Sequence, residues 1–119
     1  MLLTNGKMLE SLGVLARTEE SGKLGYACAR NRRKLLTECK EFMDKRDELL
    51  RKYGSDKGNG QYELPADTAS SFVEELKEYS ELEFDVDVMT VPEEIFYGGN
   101  LTAKDMFILD WMVCENATA

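Results

Sequence analysis

Glu83, Asp85 and Asp87 alternate along the chain, and their types and spacing come closest to a metal site. On an extended strand they project from one face at about 7 Å intervals, so two of them can share a divalent cation. The same spacing describes the solvated outer face of a half-buried strand, and that plainer reading is preferred. Pro65, Asp67 and Glu75-Leu76-Lys77 follow the order of a metal-dependent nuclease motif. Glu75 and Lys77, however, fall two positions apart inside an expected helix, on different sides of it, whereas the chemistry needs them on one strand face. Asp56 to Asp67 has the length of a calcium loop but lacks oxygen ligands at its third and fifth positions and the closing glutamate. Gly98-Gly99 is too short to cradle a phosphate, and no phosphate-loop lysine follows it.

The chain has no histidine, which removes Ser-His-Asp and Cys-His catalysis, imidazole-zinc sites and the commonest general base together. Cys28, Cys39 and Cys114 are odd in number and irregularly spaced, unlike a disulfide framework or a zinc-ligand set. Cys28 and Cys39 sit on an apolar helical stripe and read as buried, reduced thiols. No catalytic residue, metal or cofactor is therefore expected, and the chain reads as a non-enzyme.

Charge is the stronger signal. Residues 1–60 hold 13 Lys or Arg against 9 Asp or Glu, a net +4, while residues 61–119 hold 2 against 14, a net −12. The basic part is concentrated in Arg30, Arg32, Arg33 and Lys34, with Asn31 among them. The acidic part is concentrated in Glu74, Glu75, Glu78, Glu81, Glu83, Asp85 and Asp87, followed by Glu93 and Glu94, against the single Lys77. Two readings stay open: the basic cluster docks on the acidic region of its own fold, or the acidic region meets a partner protein, one with a basic nucleic-acid-binding surface being the natural complement. A merely solubilising surface is the plain alternative. With a net charge of −8, direct binding of nucleic acid is not expected.

The elements that must carry these groups follow from periodicity. Thr4 or Asn5 can cap a helix reaching about Glu20, with Met8, Leu9, Leu12, Leu15 and Ala16 on one stripe. Gly22 and Gly25 then suggest a break. Cys28, Arg32, Leu35, Cys39, Phe42, Arg46, Leu49 and Tyr53 form a ladder of alternating three- and four-residue steps that predicts one long amphipathic helix over 28–53, stopped by Gly54. A turn over 55–60 leads to a short strand at 61–64, and Asp67 or Thr68 can cap a helix through Tyr79, with Phe72, Val73, Leu76 and Tyr79 inward. Strict alternation over 83–88 predicts a strand that buries Phe84, Val86 and Val88 and pairs with 61–64 or 95–97. Thr102 with Asp105 is a capping-box arrangement opening a last helix, with Met106, Leu109, Met112 and Val113 on its buried stripe.

The expected fold is thus α+β and mostly helical: about four helices, including the long one at 28–53, and a small antiparallel sheet containing 83–88. At 119 residues, 43% hydrophobic and 32% charged, one domain spanning 1–119 is expected. No leader or membrane span is read in the sequence, so a membrane partner is not expected. Sequons at Asn100 and Asn116 read as chance matches.

Several landmarks together resemble a family of small proteins from tailed phages and prophages of Gram-positive bacteria. They are Leu3-Thr4-Asn5-Gly6-Lys7, Tyr26 with Arg30-Asn31, Tyr53 with Asp56 and Gly60, and Leu101-Thr102, Asp105 and Leu109-Asp110-Trp111-Met112. The resemblance supplies no catalytic residues. It implies a phage setting and the cytoplasm of the bacterial host, where short acidic proteins block host machinery or assemble particles. The expectation is a non-enzymatic inhibitor or adaptor of a host or phage protein, acting through its acidic surface over 74–94. A structural subunit of tail or neck, self-associating through the long helix, ranks second, and a metal-dependent enzyme a distant third.

Overall fold

The computed structural model describes residues 1–58 and 60–114; the Cys114 side chain, the Asn116 sequon and Asn59 of the expected turn lie outside that description. The chain is α+β and mostly helical, with four helices of seven residues or more and a two-stranded antiparallel sheet holding Glu83–Asp85.

Helix α1 (Asn5–Leu15) begins where its cap demands, because Thr4 Oγ1 accepts the Lys7 backbone N–H at 3.0 Å. It stops short of Glu20. The Thr18 hydroxyl donates to the Val14 carbonyl at 2.7 Å, and the Arg17 N–H closes a tight turn onto that same carbonyl. The two glycines expected to break the chain instead start α2 (Gly22–Glu38). Gly22 holds φ at +64°, and a Cβ on Gly25 would stand 2.3 Å from the Glu20 carbonyl oxygen, so the first turn can pass this corner only with glycine there.

The ladder over 28–53 is helical throughout except at one residue. Cys39 separates α2 from α3 (Lys40–Tyr53), with ψ near zero at −1°. Hydrogen bonds cross the junction from Cys39 N–H to the Leu35 carbonyl and from Met43 N–H to the Cys39 carbonyl. The interruption is therefore a local distortion of one long element. The break falls at a tertiary contact: Cys39 is fully buried, and its thiol lies 3.8 Å from the carbonyl of Asn5, at the start of α1.

Helix α4 (Ala66–Ser80) starts one residue before the expected caps, with Pro65 at its N-cap and no side-chain cap bond. The Thr68 hydroxyl donates instead to the Tyr53 carbonyl at 2.9 Å and ties α4 to the end of α3. Val73, expected inward, is 60% exposed, while Phe72 is buried. The last expected helix is shorter than predicted: α6 (Ala103–Ile108) gives way to a 3-10 turn at Asp110–Met112. Its cap holds, since Thr102 Oγ1 accepts the Asp105 N–H at 3.1 Å.

Strand pairing differs from the expected scheme. Strand β1 (Leu2–Thr4) pairs antiparallel with β4 (Glu83–Asp85), with Leu3 opposite Phe84. Strands β2 (Ser55–Asp56) and β3 (Tyr62–Glu63) close a local hairpin, so the 61–64 segment never reaches 83–88. Residues 95–97 belong to a short helix, α5 (Glu93–Tyr97). Strands β5 (Val91–Pro92) and β6 (Val113–Cys114) pair in parallel. Local closure wins for β2 and β3 because a short loop costs little chain entropy.

The core gathers α1, α2, α5, α6 and the loop after β4 around Met8, Leu35, Phe96, Leu109 and Met112, each 0–1% exposed. Its polar members are paired. Trp111 Nε1 donates to Ser11 Oγ at 3.0 Å. Asn31 clasps the Met89 peptide from both sides, accepting its N–H at 2.7 Å and donating to its carbonyl at 2.8 Å. Asp105 takes the Arg17 guanidinium at 2.9 and 3.4 Å, and those bonds hold its carboxyl below the usual range against the opposing effect of desolvation. Among the described residues no helix is long and apolar enough to cross a membrane.

Candidate interaction surface

The acidic residues come from one helix and one strand that are consecutive in the chain. Glu74, Glu75 and Glu78 lie on α4, Glu81 is its C-cap, Glu83 and Asp85 lie on β4, and Asp87 follows the strand. All are exposed except Glu75, which is partly covered. Three have cationic partners: Glu75 with Lys52 of α3 at 3.1 Å, Glu81 with Lys77 at 3.8 Å, and Asp85 with the Met1 ammonium at 2.8 Å. The ammonium's hydrogen bond and charge pull the Asp85 carboxyl below its ordinary range. Among the described residues, Glu74, Glu78, Glu83 and Asp87 have no cationic partner within 4.0 Å.

The alternating carboxylates do not converge. The regular strand ends at Asp85, before Asp87, and Asp85 is already engaged by the ammonium. Among the described residues no group of three or more His, Cys, Asp or Glu side chains is placed to hold a metal ion.

The basic cluster is split by function. Arg30, Arg32 and Arg33 are exposed on α2, and Lys34 bridges Glu38 of the same helix at 3.8 Å. No ion pair joins any of the four to the acidic region among the described residues, so internal docking of cluster on acid is absent there. The reason is architectural: α2 packs on α1, α5 and β5, whereas α4 packs chiefly on α3 and α1. Asn31, embedded in the cluster, is fully buried and serves the core.

A cleft of about 470 Å³ opens beside the acidic run, where the α2–α3 junction faces the end of α4 and β4. One wall is Thr37, Glu38, Glu41, Phe42 and Lys45, and the other is Tyr79, Leu82 and Phe84, with Asn5 at the base. Asn5 fixes the second wall: its amide donates to the Tyr79 carbonyl at 3.0 Å and its backbone N–H to the Leu82 carbonyl at 3.1 Å. It thereby satisfies carbonyls at the C-terminus of α4. The Asn5 carbonyl also lies against the Cys39 thiol, so one residue braces both sides. Phe84, expected to be buried with Val86 and Val88, is 42% exposed here, and Leu82 is 49% exposed, while Val86 is buried. Lys45 is committed: its ammonium stands 5.0 Å from the Tyr79 ring and 3.5 Å from Glu48.

The cleft escaped the sequence reading because its residues come from three separated stretches, Asn5, 37–45 and 79–84. One signal was present, namely two large apolar residues, Leu82 and Phe84, inside an otherwise acidic run. The thiols offer little reactivity, since burial, with the Glu20 charge adding, pushes Cys28 up to about 11. Burial raises Cys39 as well, although the charge of Arg46 opposes it.

Comparisons with family models, with curated proteins and with solved structures gave no match.

Proposed function

We propose that this chain is a non-enzymatic binding protein, a phage-encoded inhibitor or adaptor that engages a basic surface of a host or phage protein through residues 74–87. The observation that carries this reading is the set of exposed carboxylates at Glu74, Glu78, Glu83 and Asp87 that have no cationic partner within 4.0 Å among the described residues. Had they been matched by the chain's own arginines, the charge split would be internal bookkeeping. Unmatched, they leave a field that steers and holds a cationic partner, and a nucleic-acid-binding surface on that partner is the natural complement. The phage setting and host cytoplasm rest on the sequence resemblance alone.

The test is a pull-down from host lysate with the wild-type chain and with the quadruple variant Glu74→Gln, Glu78→Gln, Glu83→Gln and Asp87→Asn. A specific partner should be captured at low salt, released as salt rises, and lost in the variant. Equal capture by both chains would end the acidic-surface reading.

A second reading, an assembly subunit acting through the long α2–α3 element, is favoured by the exposure of Tyr26 at 58% and Leu36 at 41% on α2. It expects concentration-dependent oligomers that disappear on changing those two residues.

A further inference from the structure

The geometry points to the cleft at the α2–α3 junction as the anchor site of the acidic surface, taking one leucine- or phenylalanine-sized side chain from a lysine- or arginine-rich segment of the partner protein. This inference rests on the acidic-surface reading and adds to it an apolar anchor. Leu82 and Phe84 remain 49% and 42% exposed beside the buried Phe42, so an apolar wall faces solvent in a concave site. Its volume of about 470 Å³ lies within the roughly 300–1,000 Å³ typical of ligand clefts.

Charge complementarity selects the occupant. Glu41 lines the cleft with no cationic partner within 4.0 Å among the described residues, and Glu38 has only the 3.8 Å bridge to Lys34. Glu78, with no cationic partner within 4.0 Å among the described residues, precedes Tyr79 by one residue, and Glu81, bridged to Lys77 at 3.8 Å on the exposed surface, precedes Leu82. The cleft's cation, Lys45, is held by Glu48 and the Tyr79 ring. An anionic lipid surface or a nucleic acid meets repulsion here, and an uncharged apolar segment forgoes the attraction. A cationic segment with one large apolar residue gains both contributions, the apolar group supplying affinity and the flanking cations register and on-rate.

Two synthetic fluorescein-labelled probes test this on the full chain. One is a lysine-alanine helix with a single central phenylalanine, and the other is the same helix with alanine in its place. Anisotropy titrations should show the phenylalanine probe binding about tenfold tighter, the effect expected for burying one such side chain. The advantage should vanish in the double variant Leu82→Ala and Phe84→Ala, whose folding is checked by its thermal melt. Glu41→Gln, a milder change, should weaken both probes and flatten their salt dependence. Equal binding of both probes to the wild-type chain overturns the cleft while leaving the acidic surface intact. Binding of neither overturns both. Concentration-dependent dimers of the wild-type chain that the double variant abolishes would make the cleft an interface between copies, and would overturn the proposal as well.

Discussion

The inner face of α2 and the cleft at its far end use the same helix in opposite ways. Along the inner face, Leu24, Ala27, Cys28, Asn31 and Leu35 are all buried, and the one polar group among them has both its hydrogen-bonding atoms satisfied. At the cleft, Leu82 and Phe84 stand half in solvent across from Glu38 and Glu41. A sealed contact with paired polar groups is what a chain builds for stability. An open apolar wall beside a carboxylate with no ion pair among the described residues, Glu41, contributes little to folding, because its burial is incomplete. The contrast separates the residues that hold the molecule together from those available to a partner.

The strongest way to break this contrast is at Asn31. Asn31→Ala removes two hydrogen bonds from a fully buried side chain and leaves the partly buried N–H and carbonyl of Met89 without these partners, so a loss of about 3 kcal/mol is expected. In a chain of this size that lowers Tm by roughly 10 °C. Arg30→Ala, one position away but exposed and free of ion pairs among the described residues, should stay within about 0.5 kcal/mol of wild type. Denaturant melts showing equal losses for the two would remove the distinction drawn inside the basic cluster.

Trp111→Phe is expected to cost about 1–2 kcal/mol. The ring's burial is largely kept, but the Ser11 hydroxyl, itself fully buried, loses the indole N–H. Adding Ser11→Ala should recover part of the loss, since it removes the orphaned group. No recovery in the double variant would assign the cost to ring volume instead.

These two residues also mark where the sequence stops being informative. Thr4 and Thr102 were legible as caps, because a cap is a contact between residues three apart and its signal is local. The ladder over 28–53 was legible as a helix, but its break at Cys39 was not, since Cys39 keeps the apolar period and its contact with Asn5 spans 34 residues. Strand β1 is three residues long, too short for alternation to register, and without it 61–64 and 95–97 stood as the visible partners of β4. Asn31 read as part of a basic patch because its role depends on Met89, 58 residues on. The acidic surface was legible from residue counts alone. The cleft was not, because Asn5, Phe42, Tyr79 and Phe84 are brought together only by tertiary packing.

A smaller effect is expected from acid. The Asp105 carboxyl is depressed in the folded chain, chiefly by the Arg17 hydrogen bonds, so its contribution is present above the unfolded carboxyl range and lost as pH falls through the folded value. With an ordinary value of 3.8, the loss falls below about pH 4. Arg17 keeps 58% of its side chain in solvent, which screens the pair. Arg17→Ala should therefore lower stability modestly at pH 7 and make the decline below about pH 4 shallower. Parallel wild-type and variant curves over that window would show that Asp105 is not the group responsible.

The smallest effect on folding is expected at the cleft, and it sharpens the comparison most. Leu82→Ala and Phe84→Ala each remove a side chain that already has about half its surface in water, so each should cost less than about 1 kcal/mol. The same truncation at Phe96, which is 1% exposed and embedded in the core, should cost about 3–5 kcal/mol. If Phe84→Ala approaches the Phe96→Ala value, the cleft wall is a structural contact and its exposure is incidental. If the two differ by the expected margin, the chain retains a phenylalanine and a leucine whose removal barely affects the fold. The energetic value of those two apolar groups then lies in what they can bury on association, beside Glu41 and Glu78, which have no counter-charge within 4.0 Å among the described residues.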